Sequence, residues 1–489
     1  MKKVSIDPIT RLEGHGKIEI FVDDNGEVAN VYFQIPELRG FERFCVGRPV
    51  EELARITPRI CGVCPEAHHM AAAKAIDACY GAEPTRTGKM LREILYNAFS
   101  AADHTTHFFV LAAPDFVVGP MADPAERNIL GLIAKVGPEA GGKVIQMRAW
   151  SHELIEIIGG RSVHPVSTVP GGVSKPLSKE EAARVKEIAD YQVEFAQFAI
   201  EIFNQVVLGN SEYVDLIMSD MYAHKTYYMG VVDENNKVNF YDGDIRVVDP
   251  DGKEFVKFAP DDYLQHITER VEPYSYLVYP YLTGVGWKGF VDGKDSGVYR
   301  AAPLARLNAA DGMSTPLAQA EYERYFETLG GKPVHATLAT HWARLVELLY
   351  AAERTQDLAN DPDVTSTDIH SMPTGITGEG IGVVEAPRGT LYHHYKTDEN
   401  GFVTACNLIV GTTNNNAAIS MSLKKAAQGL IQPGGEISEG LLNEVEMAFR
   451  AYDPCFGCAT HTLFGEMPLE VAVREQSTGE VLNTVRRFV

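Results

Sequence analysis

Most features that would place a chain of 489 residues in a familiar class are missing from this sequence. The first residues include two lysines but no apolar run, and no stretch approaches the roughly 20 apolar residues of a membrane span. Basic residues are few, 44 against 66 acidic ones, and the net charge of -22 argues against nucleic acid or an anionic membrane as partner. We therefore expect a cytoplasmic protein without a signal peptide or a membrane-spanning segment.

Cysteine is also scarce, because the chain has only seven and they form no dense disulfide framework, which fits a reducing cytoplasm. A C-x-x-C turn directs two sulfur atoms to one point, and two such turns together make a four-thiolate cage for a soft transition metal. Four of the seven cysteines form two such pairs near opposite ends of the chain: Cys61 with Cys64, and Cys455 with Cys458.

A structural zinc site is the first alternative for two cysteine pairs. The pairs of a zinc ribbon are usually about 15 to 20 residues apart, whereas most of this chain separates Cys64 from Cys455. A cage assembled from both ends of a large chain is more typical of an active site at the centre of a fold. The spacing alone leaves zinc open.

Charged residues accompany the cysteine pairs in a way that favours a functional site. Asp453 precedes Cys455 with only a proline between them, and Asp103 lies on an otherwise apolar helical face. Arg388 occupies a Pro-Arg-Gly turn. A buried cation and a buried carboxylate near a metal need each other, because each is costly to bury unpaired.

The periodicity of apolar residues predicts a mainly α fold with small antiparallel β-sheets, an α+β class. Ser178 and Glu181 form a capping box that predicts a long helix to about Leu208. Alternation of apolar and polar residues over 17–34 predicts a β-hairpin. We expect further helices within 49–113, 334–357 and 438–452, and a second hairpin around Asn400-Gly401.

We find no internal repeat or linker, so residues 1–461 are predicted to form a single large catalytic domain. Two Asp-Gly turns, at 242–243 and 251–252, predict a β-rich antiparallel insertion near 230–300. The glycine run Gly378-x-Gly380-x-Gly382 lacks the spacing of a dinucleotide-binding motif and the strand before it. We interpret this run as a loop.

Taken together, these motifs resemble those of the large, catalytic subunit of nickel-iron hydrogenases. The resemblance runs from about residue 5 to the C-terminus and implies the large helical core of that family. It also implies reversible heterolytic cleavage of H2 to protons and electrons. Its motifs are Arg-Leu-Glu-Gly-His at 11–15, Arg-Gly-Phe-Glu at 39–42, Arg-x-Cys-Gly-x-Cys-x-x-x-His at 59–68, Asp-His-x-x-His at 103–107, Pro-Arg-Gly at 387–389 and Asp-Pro-Cys-x-x-Cys-x-x-His at 453–461.

The resemblance implies a nickel with Cys61 and Cys455 as terminal ligands, and an iron that carries carbon monoxide and cyanide. Cys64 and Cys458 would bridge the two metals. The residues expected to bind around this cofactor are His68, Pro387 and Thr412, of which Thr412 would hydrogen-bond a cyanide nitrogen. Gly411 stands where some family members have proline.

The same resemblance assigns catalytic residues. Arg388 would be held over the metals by Asp103 and Asp453, first as an electrostatic and orienting group and second as a base, because arginine normally stays protonated. The Cys455 thiolate is the other candidate base for the proton of H2. Glu13 matches the carboxylate that passes this proton away from the thiolate.

A magnesium ion is the third metal that the resemblance implies. Its ligands would be Glu42, the carbonyl group of Leu408 and His461, with waters completing the shell as is usual for magnesium. The family removes the segment after the equivalent histidine once nickel is in place. We therefore predict that residues 462–489 are a C-terminal maturation extension.

The sequence has no further cysteine cluster for an iron-sulfur relay, so an iron-sulfur small subunit is expected as partner. Residues 36–40 and 68–70 look most like the cytoplasmic group that supplies a heterodisulfide reductase and does not reduce the deazaflavin coenzyme. NAD(P)-linked and deazaflavin-reducing relatives, which would pass electrons to flavoprotein partners, remain alternatives. A quinone-oxidoreductase core subunit, which shares the fold without the cysteines, and a zinc-stabilised scaffold protein are more remote ones.

Overall fold

The computed structural model describes residues 2–38, 40–460, 469–474 and 481–487. Helices dominate, and the predicted mainly α class with small sheets is confirmed. The helices are α1 Phe41–Cys45, α2 Leu53–Ile56, α3 Pro65–Cys79, α4 Arg86–Thr106, α5 Ala113–Val117, α6 Ile129–Val136, α7 Pro138–Gly159, α8 Lys179–Phe203, α9 Ser211–Met218, α10 Tyr263–His266, α11 Pro303–Ala309, α12 Pro316–Thr328, α13 Thr340–Ala359, α14 Asn416–Leu430, α15 Glu439–Arg450 and α16 Phe456–Ala459.

The strands are short and form several small sheets. They are β1 Lys2–Ile6, β2 Lys17–Val22, β3 Val28–Gln34, β4 Thr168–Val169, β5 Gly172–Val173, β6 Tyr227–Val232, β7 Lys237–Val238, β8 Asp244–Val248, β9 Glu254–Phe258, β10 Ile267–Val271, β11 Val278–Leu282, β12 Tyr299–Arg300, β13 Gly312–Met313, β14 Glu379–Ala386, β15 Gly389–Thr397, β16 Val403–Ile409, β17 Leu469–Arg474 and β18 Val481–Arg487.

The centre of the fold is a group of long helices in which α4 packs against α7 and α13, and α13 packs against α8. Almost every residue of α4 after its first turn is buried, which is the pattern of a helix surrounded by others. Helix α8 begins with the predicted capping box of Ser178 and Glu181, and a π-helical turn continues it to Leu208. Among the described residues, no helix is both long and apolar enough to cross a membrane.

The predicted hairpins form as β2–β3 and β15–β16, both antiparallel. The sheet of the segment predicted as an antiparallel insertion is mixed. Its strands follow the order β13-β7-β6-β8-β9, and the two-residue strands β12 and β13 join it in parallel. Such short strands come from distant parts of the chain and carry no periodic pattern that could reveal them.

The interpretation of the glycine run as a loop is wrong for its second half. Gly380 and Gly382 lie in β14, which packs closely on α3. A Cβ atom on Gly380 would lie 2.1 Å from the carbonyl oxygen of Ala75, and one on Gly382 would lie 2.0 Å from that of Ala71. These glycines therefore permit the close approach of a strand to a helix backbone rather than flexibility.

Candidate metal centre

Four cysteine side chains from opposite ends of the chain meet at one point. Cys64 is the N-cap of α3, which begins at Pro65, and Cys61 lies just before it. Cys455 is the N-cap of α16, and Cys458 lies within that helix. The four sulfur atoms lie within 4.8 Å of one another, and all four residues are buried. The structure thus brings together the four residues predicted to form the cage.

The spacing of these sulfurs suits metal binding. The Sγ atoms of Cys61 and Cys455 are 3.1 Å apart, those of Cys64 and Cys458 are 3.5 Å apart, and those of Cys455 and Cys458 are 2.8 Å apart. A disulfide would bring two sulfurs to about 2.05 Å, and none of these four cysteines forms one. Since each pair contacts the other, a compact centre between them would meet sulfur from both ends of the chain.

The donor set of the cage suits soft metal ions. Burial raises the pKa of the Cys455 and Cys458 thiols well above the usual value. The backbone N–H groups of Val63 and Cys64 donate to Cys61 Sγ at 3.2 and 3.3 Å, which stabilises negative charge on that sulfur. Metal binding would deprotonate these thiols, and four buried thiolates then need the positive charge of the metals. The all-sulfur donor set therefore fits a pair of soft metal ions such as nickel and iron.

The Arg388 guanidinium lies between two buried carboxylates, in the two-residue turn between β14 and β15. Its Nη1 and Nη2 donate to the two oxygens of Asp103 at 3.0 Å each, and Nη2 pairs with Asp453 Oδ2 at 2.9 Å. Burial alone would lower the pKa of Arg388, but the two aspartates, with Cys64 and Cys455, hold it well above its usual value. The group is a fixed positive charge beside the sulfurs.

Glu13 reaches the cage from the N-terminal segment. The Cys455 Sγ–H is placed to donate to Glu13 Oε2 at 3.0 Å, and the Gly457 N–H donates to the same oxygen at 2.9 Å. The backbone supports this contact, because the Phe456 N–H donates to the Glu13 carbonyl at 3.1 Å. Gly14 makes the approach possible: its φ is +88°, and a Cβ atom there would lie 3.0 Å from the Gly457 nitrogen.

Thr412 contacts the second cysteine pair, and Pro387 lies in the turn that carries Arg388. Thr412 Oγ1 accepts a hydrogen bond from the Cys455 N–H at 2.9 Å, which leaves its own O–H free to donate elsewhere. Pro387 precedes Arg388 in the hairpin turn and is buried. The Cβ atom of a residue in place of Gly389, which closes the turn, would lie 2.4 Å from the Gly411 carbonyl oxygen. The two glycines therefore let these segments touch.

His68 is one turn along α3 from Cys64 and is fully buried. Its Nδ1 lies 3.0 Å from His393 Nε2, and His393 in turn contacts the hydroxyl of Tyr395. His68 therefore belongs to a chain of polar side chains that runs from α3 into β15.

Two of the three predicted magnesium ligands are adjacent. The Leu408 N–H donates to Glu42 Oε1 at 2.7 Å, so the carboxylate of α1 lies against the end of β16. His461 lies outside the described residues, as do 462–468 of the predicted extension.

Sequence reasoning missed Glu269, a carboxylate near Glu42. Burial raises the pKa of Glu269 to about 8, and the charge of Glu42 adds to that effect.

Sequence reasoning also missed Arg344, a fully buried arginine on α13 that lies 3.6 Å from Asp453 Oδ2. Its neighbour on the same helix, Glu347, binds Arg306 through two contacts of 2.6 Å. The signal was present in the sequence. Both charged residues lie three apart in the strongly apolar stretch 342–352, where an ordinary buried helix has no charge.

Comparisons with known proteins give a consistent picture. The family model described as nickel-dependent hydrogenase matches residues 39–129 and 232–461, and a HoxL-like model matches residues 3–38. The chain is 49% identical over 488 residues to an iron-sulfur subunit of the F420-non-reducing hydrogenase of Archaeoglobus profundus, with all of both chains covered.

Other similar proteins come from further organisms. The chain is 40% identical to a subunit of the F420-non-reducing hydrogenase of Methanothermobacter thermautotrophicus, covering 99% of this chain and 100% of that one. It is 38% identical to the beta subunit of the NAD-reducing hydrogenase HoxS of Cupriavidus necator, covering 96% and 97%. A solved structure of an NAD+-reducing nickel-iron hydrogenase in the H2-reduced state superposes with a TM-score of 0.86 at 37% identity, covering 94% of this chain and 100% of that one.

Proposed function

The chain belongs to the nickel-dependent hydrogenases, and we propose that it cleaves H2 at a nickel-iron pair held by the cysteine cage. In this proposal Cys61 and Cys455 would hold the nickel as terminal ligands, and Cys64 and Cys458 would be shared with the iron. The observation that carries it is the meeting of four buried sulfurs within 4.8 Å from opposite ends of the chain. When bound, the metal pair supplies an open coordination position that polarises H2 and accepts its electrons.

The iron would carry carbon monoxide and cyanide, with Thr412, Pro387 and His68 around it. The hydroxyl of Thr412 supports this role, because its oxygen already accepts from Cys455 and its proton can be given to a cyanide nitrogen. The dry surroundings formed by Pro387 and His68, both buried, would keep water away from the diatomic ligands. Infrared bands of carbon monoxide and cyanide in the purified enzyme test this part.

The proton of H2 leaves by Cys455 and Glu13. The thiol proton on Cys455 Sγ passes to Glu13 Oε2, 3.0 Å away, and Glu13 is only half-buried, so it can release the proton towards the surface. Arg388, held by Asp103 and Asp453, places a fixed positive charge beside the sulfurs and orients the reacting atoms. Its pKa, well above the usual value, supports this role over that of a base.

A magnesium ion would bind Glu42, the Leu408 carbonyl and His461. The contact between Glu42 and the backbone of Leu408 supports the first two ligands, and hard carboxylate and carbonyl oxygens suit this ion. If His461 is a ligand at a buried site, a tail after it obstructs closure, so we propose that 462–489 are removed on maturation. Intact-mass measurement of nickel-loaded enzyme tests this: a chain that retains Val489 would contradict it.

The electrons leave through an iron-sulfur small subunit. Within the described residues, the cage is the single group of three or more cysteine, histidine or carboxylate side chains arranged to bind a metal. We therefore place the electron relay on another chain. Gly62 and Val63, between the first two cysteines, are exposed, with Val63 at 40%. A partner at this surface would lie close to the sulfurs, as electron transfer requires.

We propose a cytoplasmic complex in which the electrons go on to a heterodisulfide reductase. The relatives from Archaeoglobus and Methanothermobacter, named as F420-non-reducing hydrogenases, favour an acceptor other than the deazaflavin. The NAD-reducing relative keeps NAD as the alternative acceptor. The experiment is anaerobic purification of the native complex, identification of its subunits by mass spectrometry, and assay of H2-dependent reduction of viologen dye, NAD and deazaflavin. Viologen reduction without NAD or deazaflavin reduction supports the proposal.

A further inference from the structure

One buried arginine holds both chain segments that carry the charged residues beside the cage. Arg344 on α13 donates from Nη1 to the Pro387 carbonyl at 3.0 Å and from Nη2 to the Ala451 carbonyl at 3.4 Å. Pro387 directly precedes Arg388, and Ala451 lies two residues before Asp453. The guanidinium of Arg344 therefore joins the hairpin turn of β14–β15 to the loop between α15 and α16.

The same arginine shares a carboxylate with Arg388. Arg344 Nη1 lies 3.6 Å from Asp453 Oδ2, the oxygen that also lies 2.9 Å from Arg388 Nη2. Arg388 uses both of its terminal nitrogens on Asp103. Two guanidinium groups thus face two carboxylates in a buried cluster. Without Arg344, a single guanidinium would have to hold both aspartates, and removing one partner from a buried charge cluster is strongly destabilising.

Side chains of α4 and α13 hold Arg344 in place. Its Nη1 lies 3.2 Å from His104 Nδ1, and the other ring nitrogen of His104 lies 3.2 Å from Glu347 Oε2. Glu347 is held by the two contacts from Arg306. Because His104 directly follows Asp103 on α4, this network also ties α4 to α13 at the level of the cage.

We propose that Arg344 is a positioning residue for H2 cleavage. It fixes the Asp453 carboxylate and the Pro387–Arg388 turn, so that the Arg388 guanidinium keeps its place beside the sulfurs. The inference rests on the role proposed above for Arg388. A shift of about 1 Å in such a group is enough to lower turnover about 100-fold.

The chain offers a matched control in Arg92. It is also fully buried, pairs with the carboxylate of Asp77 and donates to the carbonyls of Val169 and Gly172. Arg92 and Arg344 therefore make the same kinds of contact but hold different segments of the chain. Arg92 serves as the control for an arginine that stabilises the fold without positioning the site.

The test compares nickel-loaded enzymes with Arg344→Lys, Arg344→Gln, Arg388→Lys and Arg92→Lys. Nickel content, the thermal unfolding midpoint, the nickel electron paramagnetic resonance spectrum, kcat and the KM for H2 are measured for each. We expect Arg344→Lys to keep nickel, lose about 100-fold in kcat and show a shifted spectrum, while Arg92→Lys keeps both kcat and spectrum. In an Asp453→Asn background, Arg344→Lys should cost less than it does alone.

Each other outcome decides against the proposal in a defined way. The proposal is overturned if Arg344→Lys has the same kcat and spectrum as Arg92→Lys. It is also overturned if both Arg344 variants lose nickel while Arg92→Lys keeps it, because Arg344 would then serve assembly of the metal centre. A loss of turnover in Arg388→Lys with none in Arg344→Lys overturns this inference alone. Wild-type turnover in Arg388→Lys overturns the role proposed for Arg388 itself.

Discussion

Glu13→Gln separates proton transfer from the architecture of the cage. The glutamate accepts from Cys455 Sγ at 3.0 Å and from the Gly457 N–H at 2.9 Å, and its backbone carbonyl binds Phe456. A glutamine keeps the backbone contact and an amide oxygen for Gly457, so the free energy of unfolding should fall by only about 1 kcal/mol. It cannot take up a proton, and a general acid-base group contributes about 100-fold to 10,000-fold to turnover.

The assay is exchange between H2 and D2O by nickel-loaded enzyme, followed by mass spectrometry of the gas, with nickel content as the check on assembly. We expect exchange to fall at least about 100-fold in Glu13→Gln. Glu19→Gln is the control, because Glu19 lies in strand β2 and pairs with Lys3 and Lys17 at the surface. Exchange at the wild-type rate in Glu13→Gln would refute the reasoning and place the proton on another route.

Three further changes have defined outcomes. Arg388→Lys should keep the metals but lower H2 turnover by about 100-fold or more, because a lysine cannot reproduce the planar fork shared by two carboxylates; near-normal turnover would count against it. Cys458→Ser should abolish assembly, since an alkoxide bridges soft metals poorly, and a normal nickel content measured by plasma mass spectrometry would contradict this. Gly382→Ala should lower the free energy of unfolding, measured in urea, by about 3 kcal/mol, because the added Cβ atom meets the Ala71 carbonyl. The control is Gly142→Ala, which has open space around it and should not lower that free energy.

The sequence was most informative where chemistry needs specific residue types at short spacing. Two C-x-x-C pairs predict a common centre whatever the fold, and an aspartate on an apolar helical face needs a buried cation as partner. Asp103 and Arg388 are indeed paired at 3.0 Å. Long helices with caps, such as α8 with Ser178, could be predicted equally well because the capping box is a local signal.

What could not be predicted depends on contacts between distant segments. The glycines of β14 carry no side chain, so their sequence is the same for a flexible loop and for a strand packed on α3; only the position of the Ala71 and Ala75 carbonyls distinguishes the two. The parallel pairing of β12 with β6 needs the whole chain to be folded before it exists.

Arg344 shows a different limit. Its charge in an apolar helix was visible, but the identity of its partners was not. Asp453, the Pro387 carbonyl and the Ala451 carbonyl come from two other segments of the chain. A buried charge in a sequence therefore predicts that a partner exists without saying where it lies.

The central claim is that the four cysteines hold nickel and iron together. Crystals of the purified complex, measured at the X-ray absorption edges of nickel, iron and zinc, test it most directly. The account predicts anomalous peaks for nickel and for iron at separate positions within contact of the sulfurs of Cys61, Cys64, Cys455 and Cys458. A zinc peak alone at that position, or nickel and iron bound elsewhere on the chain, would contradict it.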